Sequence, residues 1–373
     1  MKILKIGSTG PLVSFLQQTL KNIGIYDATI DGILGSYTMQ SVKKFQTSKN
    51  LTSDGIVGEK TWNALLEYMT VPTDIPYIYD ILELNIKSLK QKYEILQTGT
   101  IGTSVMNKEI PYIKLGNGDK KVLFVAGTHA NEWITCPVLM KFVEDYLISY
   151  SYGTKILTKF AKEIYDTSTI YIIPMLNPDG IDLVNNVIPK SSPYYTKAKS
   201  ISKNFPNIRF PDGWKANIEG IDLNLQFPAK WDKAKEIKYS QGFTTYAPRD
   251  FVGEYPLQAI EAVSIYDFTI TNSFDIMLTY HSQGEVIYWK FDNFNPPNSQ
   301  KIGEEFSKIS GYTLELTPYS SSYAGFKDWF IQNYNLPGYT IEVGLGTNPL
   351  PVSQFDSIYE KNIGILEIAP FLI

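Results

Sequence analysis

Cysteine and histidine are nearly absent from this chain of 373 residues, which holds one cysteine, Cys136, and two histidines, His129 and His281. A single cysteine excludes an internal disulfide bond and any metal site built from several cysteines. A metal site based on histidine would therefore have to use both imidazoles. Arginine is almost as rare, with only Arg209 and Arg249 in the whole sequence.

The sequence also lacks charge and long hydrophobic runs. Charged residues make up 19% of the chain, against about 25% in a typical globular domain, and no charge asymmetry indicates a nucleic-acid partner. No apolar run approaches the ~20 residues that a membrane span requires. The first twenty residues lack the apolar segment and cleavage site of a signal peptide. We therefore expect cytoplasmic synthesis, with no membrane and no nucleic acid as a partner.

A short motif occurs twice in the first seventy residues. Asp31-Gly-Ile-Leu-Gly35 recurs as Asp54-Gly-Ile-Val-Gly58. Each copy is a glycine-bearing turn followed by apolar residues at helical spacing, and the segment around Leu16 has the same spacing. The pattern predicts a small three-helix domain over residues 1–69.

This module resembles the peptidoglycan-binding domain found at the ends of many bacterial cell-wall hydrolases. The resemblance runs through the whole module and implies peptidoglycan, its glycan strands and stem peptides, as the partner. It is carried by Leu4, Gly7, Gly10, Val13, Leu16, Gln17, Leu20, Asp31, Gly32, Gly35, Thr38, Val42, Phe45, Gln46, Leu51, Asp54, Gly55, Val57, Gly58, Thr61 and Trp62.

Residues 70–76 contain two prolines and predict a short linker. Over residues 77–373, apolar strands alternate with helices, which predicts an α/β domain. Polar residues follow the carboxyl ends of the strands, where open α/β sheets bind their ligands. The continuous apolar runs, which are typical of strands covered on both faces, are Lys121–Ala126, Thr169–Met175, Asp275–Tyr280 and Tyr339–Ile341.

Both histidines follow or end such runs, and Glu132 comes three residues after His129. A catalytic zinc site needs three protein ligands and one open position, and two histidines with a glutamate are an established set. The structural alternative for each histidine alone is a hydrogen-bonded core side chain. Glu342 stands in an otherwise apolar strand, where a charge is costly without a partner. Its structural alternative is a surface carboxylate on an edge strand.

Together these residues resemble the M14 zinc carboxypeptidases, from about residue 77 to the C-terminus. The resemblance implies a mixed central sheet flanked by helices. It also implies one Zn²⁺ per chain, bound by His129, Glu132 and His281, and a zinc-bound water activated by Glu342 as the general base.

The segment Gly220-Ile-Asp222-Leu-Asn224 matches the D-x-N element of that family. By this resemblance Asp222 would orient a zinc histidine and Asn224 would contact the substrate. Family members usually carry an arginine after that asparagine, which grips a terminal carboxylate, whereas this chain has Leu225. Leucine cannot replace a bidentate guanidinium, so a plain carboxypeptidase is disfavoured.

The strings Trp214-Lys-Ala-Asn217 and Asp222-Leu-Asn-Leu-Gln226-Phe-Pro228 resemble the γ-D-glutamyl-meso-diaminopimelate peptidase branch of the family. That branch implies hydrolysis of peptidoglycan stem peptides, with Gln226 among the residues that bind substrate. We expect Arg249 to anchor a substrate carboxylate.

Two catalytic assignments come from the same resemblance. Lys215 would polarise the scissile carbonyl, and Tyr323 would close over the substrate. Tyr319 is the alternative for the closing tyrosine, and a packing role remains open for both tyrosines, since the chain has 26 of them.

The sequence thus predicts a cell-wall zinc peptidase that acts at the cell wall, at the spore cortex or after lysis. The alternatives are a general zinc carboxypeptidase, a related zinc deacylase of the aspartoacylase kind, and a non-catalytic wall-binding protein.

Overall fold

The structure, a computed structural model, describes residues 2–373. The chain divides into two compact units, Met1–Leu96 and Gln97–Ile373. The domain limits drawn from the sequence, 1–69, 70–76 and 77–373, stay a prediction. Within the described residues, no helix is both long enough and apolar enough to cross a membrane.

The first unit contains the three helices predicted from the repeat and a further one. Each of the first three begins beside a glycine, and α2 and α3 begin at Ser36 and Glu59, directly after Gly35 and Gly58. Apolar side chains such as Leu16, which is fully buried, form the core of the unit. The helices are α1 (Pro11–Asn22), α2 (Ser36–Ser48), α3 (Glu59–Leu65) and α4 (Tyr79–Lys92).

Two buried glutamines hold the repeated turns in the same way. The Gln17 carboxamide donates to Asp31 Oδ1 at 2.7 Å and to Thr38 Oγ1 at 3.1 Å, and its oxygen accepts from the Gly32 N–H at 2.9 Å. This satisfies a buried amide completely, as its burial requires. Gln46 repeats these bonds in the second copy with Asp54 at 3.0 Å, Thr61 at 3.2 Å and Gly55 at 2.9 Å.

The second unit is built around an eight-stranded sheet. Its strands are β1 (Gln97–Thr103), β2 (Glu109–Gly116), β3 (Lys120–Val125), β4 (Ser168–Ile173), β5 (Ile276–Ser282), β6 (Val286–Tyr288), β7 (Thr313–Glu315) and β8 (Gly338–Val343). Its helices are α5 (Thr135–Tyr152), α6 (Ala161–Thr167), α7 (Pro178–Val184), α8 (Pro193–Ser202), α9 (Trp231–Ser240), α10 (Ile260–Asn272), α11 (Ser299–Ser310), α12 (Phe326–Tyr334) and α13 (Phe355–Ile368).

The sheet is mixed, as the family resemblance implies, with the order β1-β2-β4-β3-β5-β8-β6-β7. The four central strands β4, β3, β5 and β8 run parallel, and each overlaps one of the four apolar runs of the sequence. The pairs β1–β2, β2–β4 and β6–β8 are antiparallel. The carboxyl ends of β3, β5 and β8 therefore meet at one edge, where the register pairs His281 with Glu342.

A buried carboxylate lies at the start of α10. Glu261 is fully buried, and its two oxygens accept from the Asn217 carboxamide at 3.1 Å and the Val105 N–H at 3.4 Å. Burial, reinforced by the nearby Asp179 carboxylate, raises the pKa of Glu261 to about 7. The native state therefore retains a proton that the unfolded state releases near the ordinary value of 4.5.

We expect Glu261 to make the protein less stable as pH rises from about 5 to 7. Because the pKa of Glu261 is higher in the folded state than in the unfolded state, the carboxyl group stabilises the fold fully at pH values below 4.5. This stabilisation is lost as the pH rises to the folded-state pKa of about 7. The free energy of unfolding should fall by a total on the order of 3 kcal/mol over this range. Glu261→Gln should therefore unfold at higher urea than the parent at pH 8 and at a similar concentration at pH 5.

Glu254→Gln is the matched control, since it removes an exposed carboxylate from the same region. Urea titrations of the three proteins at several pH values make the comparison. Parallel pH curves for Glu261→Gln and the parent would contradict the assignment.

Candidate metal and catalytic site

Three potential metal ligands meet at the edge where β3, β5 and β8 end. His129 lies four residues past β3, Glu132 ends the short 3₁₀ turn that follows it, and His281 is the sixth residue of β5. The Nδ1 atoms of the two histidines are 3.0 Å apart. Glu132 Oε2 lies 3.0 Å from His129 Nδ1 and 2.9 Å from His281 Nδ1. All three side chains are buried.

The remaining ring nitrogens decide which atoms are free to bind a cation. His129 Nε2 lies 3.1 Å from Asp222 Oδ1, and His281 Nε2 lies 3.1 Å from Thr279 Oγ1. Asp222 accepts from His129 Nε2, whereas the Thr279 hydroxyl can donate to His281 Nε2 or accept from it. Both Nδ1 atoms and Glu132 Oε2 converge on one point, where a cation could contact all three. Burial also lowers the pKa of His281, which favours the neutral form that metals bind. These side chains could hold one metal ion, and their nitrogen and oxygen donors fit zinc.

Asp222 connects this cluster to the rest of the site. Its Oδ1 faces His129 and also accepts from the Asn224 N–H at 3.1 Å, and its Oδ2 accepts from the Asp250 N–H at 3.1 Å. Burial alone would raise the pKa of Asp222, but the adjacent His129 and Lys215 hold it below its ordinary value. The carboxylate is therefore charged and fixes the orientation of the His129 ring.

Lys215 and Glu342 flank the cluster. Lys215 Nζ lies 3.4 Å from Glu132 Oε1. Burial and the nearby Glu132 carboxylate raise the pKa of Glu342 to about 8. Both side chains line a cleft of about 470 Å³. The three potential metal ligands, the Glu342 carboxyl group and the Lys215 ammonium group thus lie close together at this edge of the sheet.

Arg249 also lines the cleft, and a second ion pair holds it there. Its Nε donates to Asp250 Oδ2 at 2.5 Å, and the other oxygen of Asp250 lies 2.7 Å from Nζ of the buried Lys238 on α9. Asp250 has a φ of 62°, a left-handed conformation uncommon outside glycine. Because Lys238 balances the Asp250 charge, the Arg249 guanidinium keeps a net charge that faces the cleft.

The cleft includes side chains that the sequence analysis did not single out for the site. Asn131 and Ser282 line it next to the potential ligands Glu132 and His281, and Arg209 lines it as well. Asn131 is buried, and its carboxamide oxygen has no hydrogen-bond partner within the described residues. Its place inside the His-x-x-Glu motif could have indicated this position, since Asn131 lies between two potential metal ligands in the sequence.

Three residues predicted to contact the substrate do not line the cleft. The Gln226 carboxamide is fully buried, accepts from the Gln258 and Ala259 N–H groups at 2.8 and 2.9 Å and donates to the Val252 carbonyl. Asn224 Oδ1 accepts from the Phe326 N–H at 3.1 Å.

Tyr323 packs against the Phe291 ring and lines a separate cavity of about 210 Å³. Substrate contacts by Gln226, Asn224 and Tyr323 stay a prediction.

Leu225 lies in a hydrophobic cluster rather than at an open polar surface. It is 7% exposed and packs in one cluster with Trp231, Val252 and Ala324. This environment suits leucine and offers no counter-charge to an arginine. The position therefore carries no cation for a terminal carboxylate.

Two family models match the chain. The model described as zinc carboxypeptidase matches residues 83–364, and the model of a peptidoglycan binding domain matches residues 9–65. The first contains every side chain of the cluster and the cleft discussed above, and the second spans the duplicated turns.

Curated relatives and solved structures agree with these matches. The γ-D-glutamyl-L-diamino acid endopeptidase 1 of Lysinibacillus sphaericus is 45% identical over 289 residues, which cover 78% of this chain and 71% of the relative. An uncharacterized Bacillus subtilis (strain 168) protein, YqgT, is 37% identical over 79% of this chain and 77% of its own. The structure of thrombin-activatable fibrinolysis inhibitor superposes with a TM-score of 0.64 at 16% identity, covering 91% of this chain and 81% of the other, and this likeness concerns the fold.

We expect one zinc ion per chain, and His281→Ala should remove it because two remaining ligands do not retain zinc in a chelating buffer. Asp222→Asn should weaken zinc binding by about 10- to 100-fold, since it removes the charge that orients His129 and replaces one of the two accepting oxygens with an NH2 group. Elemental analysis after dialysis against graded chelator, with circular dichroism as the folding control, measures both effects. Full zinc occupancy in folded His281→Ala would refute the ligand set.

Proposed function

The chain belongs to the zinc carboxypeptidase family, and on that basis we propose that it hydrolyses peptidoglycan stem peptides between the γ-carboxyl of D-glutamate and a diamino acid. The observation that carries the proposal is the buried cluster of His129, Glu132 and His281 beside a cleft that also holds Glu342 and three cations. The relative that shares 45% identity is named for the same bond.

In the proposed reaction Glu342 is the proton acceptor. When bound, zinc supplies a Lewis acid that polarises the scissile carbonyl and lowers the pKa of water. Glu342 lies next to His281 across the β5–β8 pair, within the cleft. It takes the proton of the attacking water and delivers it to the leaving amine.

Lys215 supports the developing negative charge on the carbonyl oxygen. Its Nζ is held beside Glu132, and the Lys215 and Ala216 N–H groups both donate to the Pro248 carbonyl, at 2.8 and 2.9 Å. These bonds fix the lysine in the cleft before substrate arrives, and preorganised charge of this kind stabilises the transition state.

The choice of bond follows from where the cleft has cations. Leu225 is buried among apolar side chains, so the terminal carboxylate of an ordinary peptide has no guanidinium there. Arg249 instead offers its charge from the segment that Asp222 and Asp250 hold in place. A γ-linked D-glutamate carries a free α-carboxylate on the acyl side of the scissile bond, and we propose that Arg249 binds this group.

The peptidoglycan-binding domain gives the peptidase a second contact with the same polymer. A tethered module raises the effective concentration of the catalytic unit at the wall without changing the chemistry. We therefore propose that the chain acts on stem peptides while its N-terminal module is bound to peptidoglycan.

We expect the purified enzyme to cut L-Ala-γ-D-Glu-diaminopimelate into L-Ala-D-Glu and free diaminopimelate. Ordinary peptides ending in phenylalanine or lysine should react at least about tenfold more slowly, because they lack the α-carboxylate on the acyl side that we propose Arg249 binds. Mass spectrometry of digested muropeptides and of such peptides identifies the bond. Efficient release of C-terminal residues from L-peptides, without attack on muropeptides, would overturn the proposal in favour of a general carboxypeptidase.

We expect Glu342→Gln to retain zinc and the fold and to lose about 10²–10⁴-fold in kcat, the usual contribution of general acid–base catalysis. The amide is nearly isosteric and removes only the proton acceptor. Glu315→Gln is the matched control, since it changes an exposed glutamate of β7 in the same sheet. Turnover of Glu342→Gln close to that of the control would show that another group is the base.

A further inference from the structure

Both arginines of the chain line the same cleft. Arg209 and Arg249 reach it from loops forty residues apart in the sequence, and Lys215 lies between them in the sequence and lines the cleft too. Glu342 is the one carboxylate among the described residues that line it, and its other polar side chains, such as Gln283 and Asn348, are uncharged. The cleft thus concentrates positive charge in a protein whose net charge is −4.

The three cations differ in how far their charges are already neutralised. Lys215 is paired with the buried Glu132, and Arg249 is bound to Asp250, which Lys238 also contacts. Among residues 2–373, the one ion pair of Arg209 is a 3.3 Å contact from Nη2 to Asp212 Oδ2, and the two side chains are 66% and 43% exposed. Exposed pairs of this kind contribute little free energy, so the Arg209 charge is the most available to a ligand.

The backbone that carries Arg209 is nevertheless fixed. Its carbonyl accepts from the Gly213 N–H at 2.9 Å, and a Cβ atom at position 213 would lie 2.6 Å from that carbonyl oxygen. The next residue, Trp214, is fully buried and donates its N–H to the Pro211 carbonyl at 2.9 Å. The loop therefore holds a flexible cationic side chain on a rigid base at the cleft.

A second available guanidinium implies a second anion on the substrate. The proposed bond provides one carboxylate on the D-glutamate, which Arg249 accounts for. The next free carboxylate must come from the diamino residue. Diaminopimelate and lysine have the same chain and differ at its far carbon, which bears a carboxylate in diaminopimelate and only hydrogen in lysine beside the amine.

We propose that Arg209 is a specificity residue that binds the side-chain carboxylate of the diamino acid, so that the enzyme prefers a diaminodicarboxylic acid to lysine at this position. The inference rests on the proposed function and adds the recognition of the leaving residue. A guanidinium binds a carboxylate with two parallel hydrogen bonds. It gains no such bond from lysine, whose far carbon carries the same ammonium group without the carboxylate, so that the lysine end has a net positive charge facing the guanidinium.

The free C-terminal carboxylate of a tripeptide has the same chemistry, so the test separates the two sources. The substrates are L-Ala-γ-D-Glu-meso-diaminopimelate and L-Ala-γ-D-Glu-L-Lys, each with a free α-carboxyl group and with the corresponding α-amide. The measurement is kcat/KM for all four peptides.

For the diaminopimelate peptides, Arg209→Ala should lower kcat/KM by about tenfold, whether the C-terminus is free or amidated, as loss of a charge-assisted hydrogen bond predicts. For the lysine peptides the value should stay unchanged or rise. Arg209→Lys should give an intermediate loss, because it keeps the charge and loses the bidentate geometry. Lys203→Ala is the charge-matched control, since it removes an exposed cation six residues away that does not line the cleft.

Each other outcome is decisive. A loss that follows the free C-terminus in both peptide series would assign Arg209 to the terminal carboxylate and overturn the proposal, as would equal losses for all four peptides. No loss with any peptide would leave Arg209 without a role in recognition. Failure of the parent enzyme to cut any γ-D-glutamyl bond would refute the proposed function itself, which the parent measurement reveals before any variant is compared.

Discussion

The site depends on the hydrogen bonds that the carboxylate of Asp222 accepts. One of its oxygens orients the His129 ring, and the other holds the backbone of Asp250 and thereby the segment that carries Arg249. A potential metal ligand and a cation of the cleft are thus positioned by the two ends of one functional group. Because the group is buried and ionised, its hydrogen bonds are strong. Removing any partner would leave the buried negative charge without compensation in a low-dielectric environment.

Charge balance around this carboxylate explains why so many ionic side chains are tolerated inside the unit. Three carboxylates lie in a small volume, those of Glu132, Asp222 and Asp250. The ammonium groups of Lys215 and Lys238 neutralise part of their negative charge. The Nδ1 atoms of the two histidines converge with Glu132 Oε2 at the centre of this group, where a cation could contact all three. The same crowding fixes side chains in place before a ligand arrives, which is the condition for electrostatic catalysis.

The sequence predicted those parts of the fold and site whose cause is local. The four central strands were recognised because burial on both faces requires continuous apolar residues, whereas β1, with the sequence Gln-Thr-Gly-Thr-Ile-Gly-Thr, has no such pattern and was missed. The potential metal ligands were found because only two histidines exist. Arg209 and Asn131 at the cleft, and Asp250 behind Arg249, were not recognised as a group. Loops distant in the chain bring them together, and hydrophobic periodicity carries no information on the geometry of loops. Likewise, nothing in the sequence indicates that the Gln226 carboxamide oxygen already accepts hydrogen bonds from two backbone N–H groups.

The glutamine clamps of the N-terminal module have a consequence for chemical ageing. Asp-Gly sequences are prone to cyclise, because the glycine nitrogen attacks the aspartate side chain to form a succinimide and then isoaspartate. Here each clamp ties down both reactants, since the glycine N–H donates to the glutamine oxygen and the aspartate oxygen accepts from the glutamine amide. The nitrogen cannot approach the carboxyl carbon while these bonds persist. A module with two Asp-Gly turns is thereby protected against the slow covalent damage that its own repeated motif would otherwise invite.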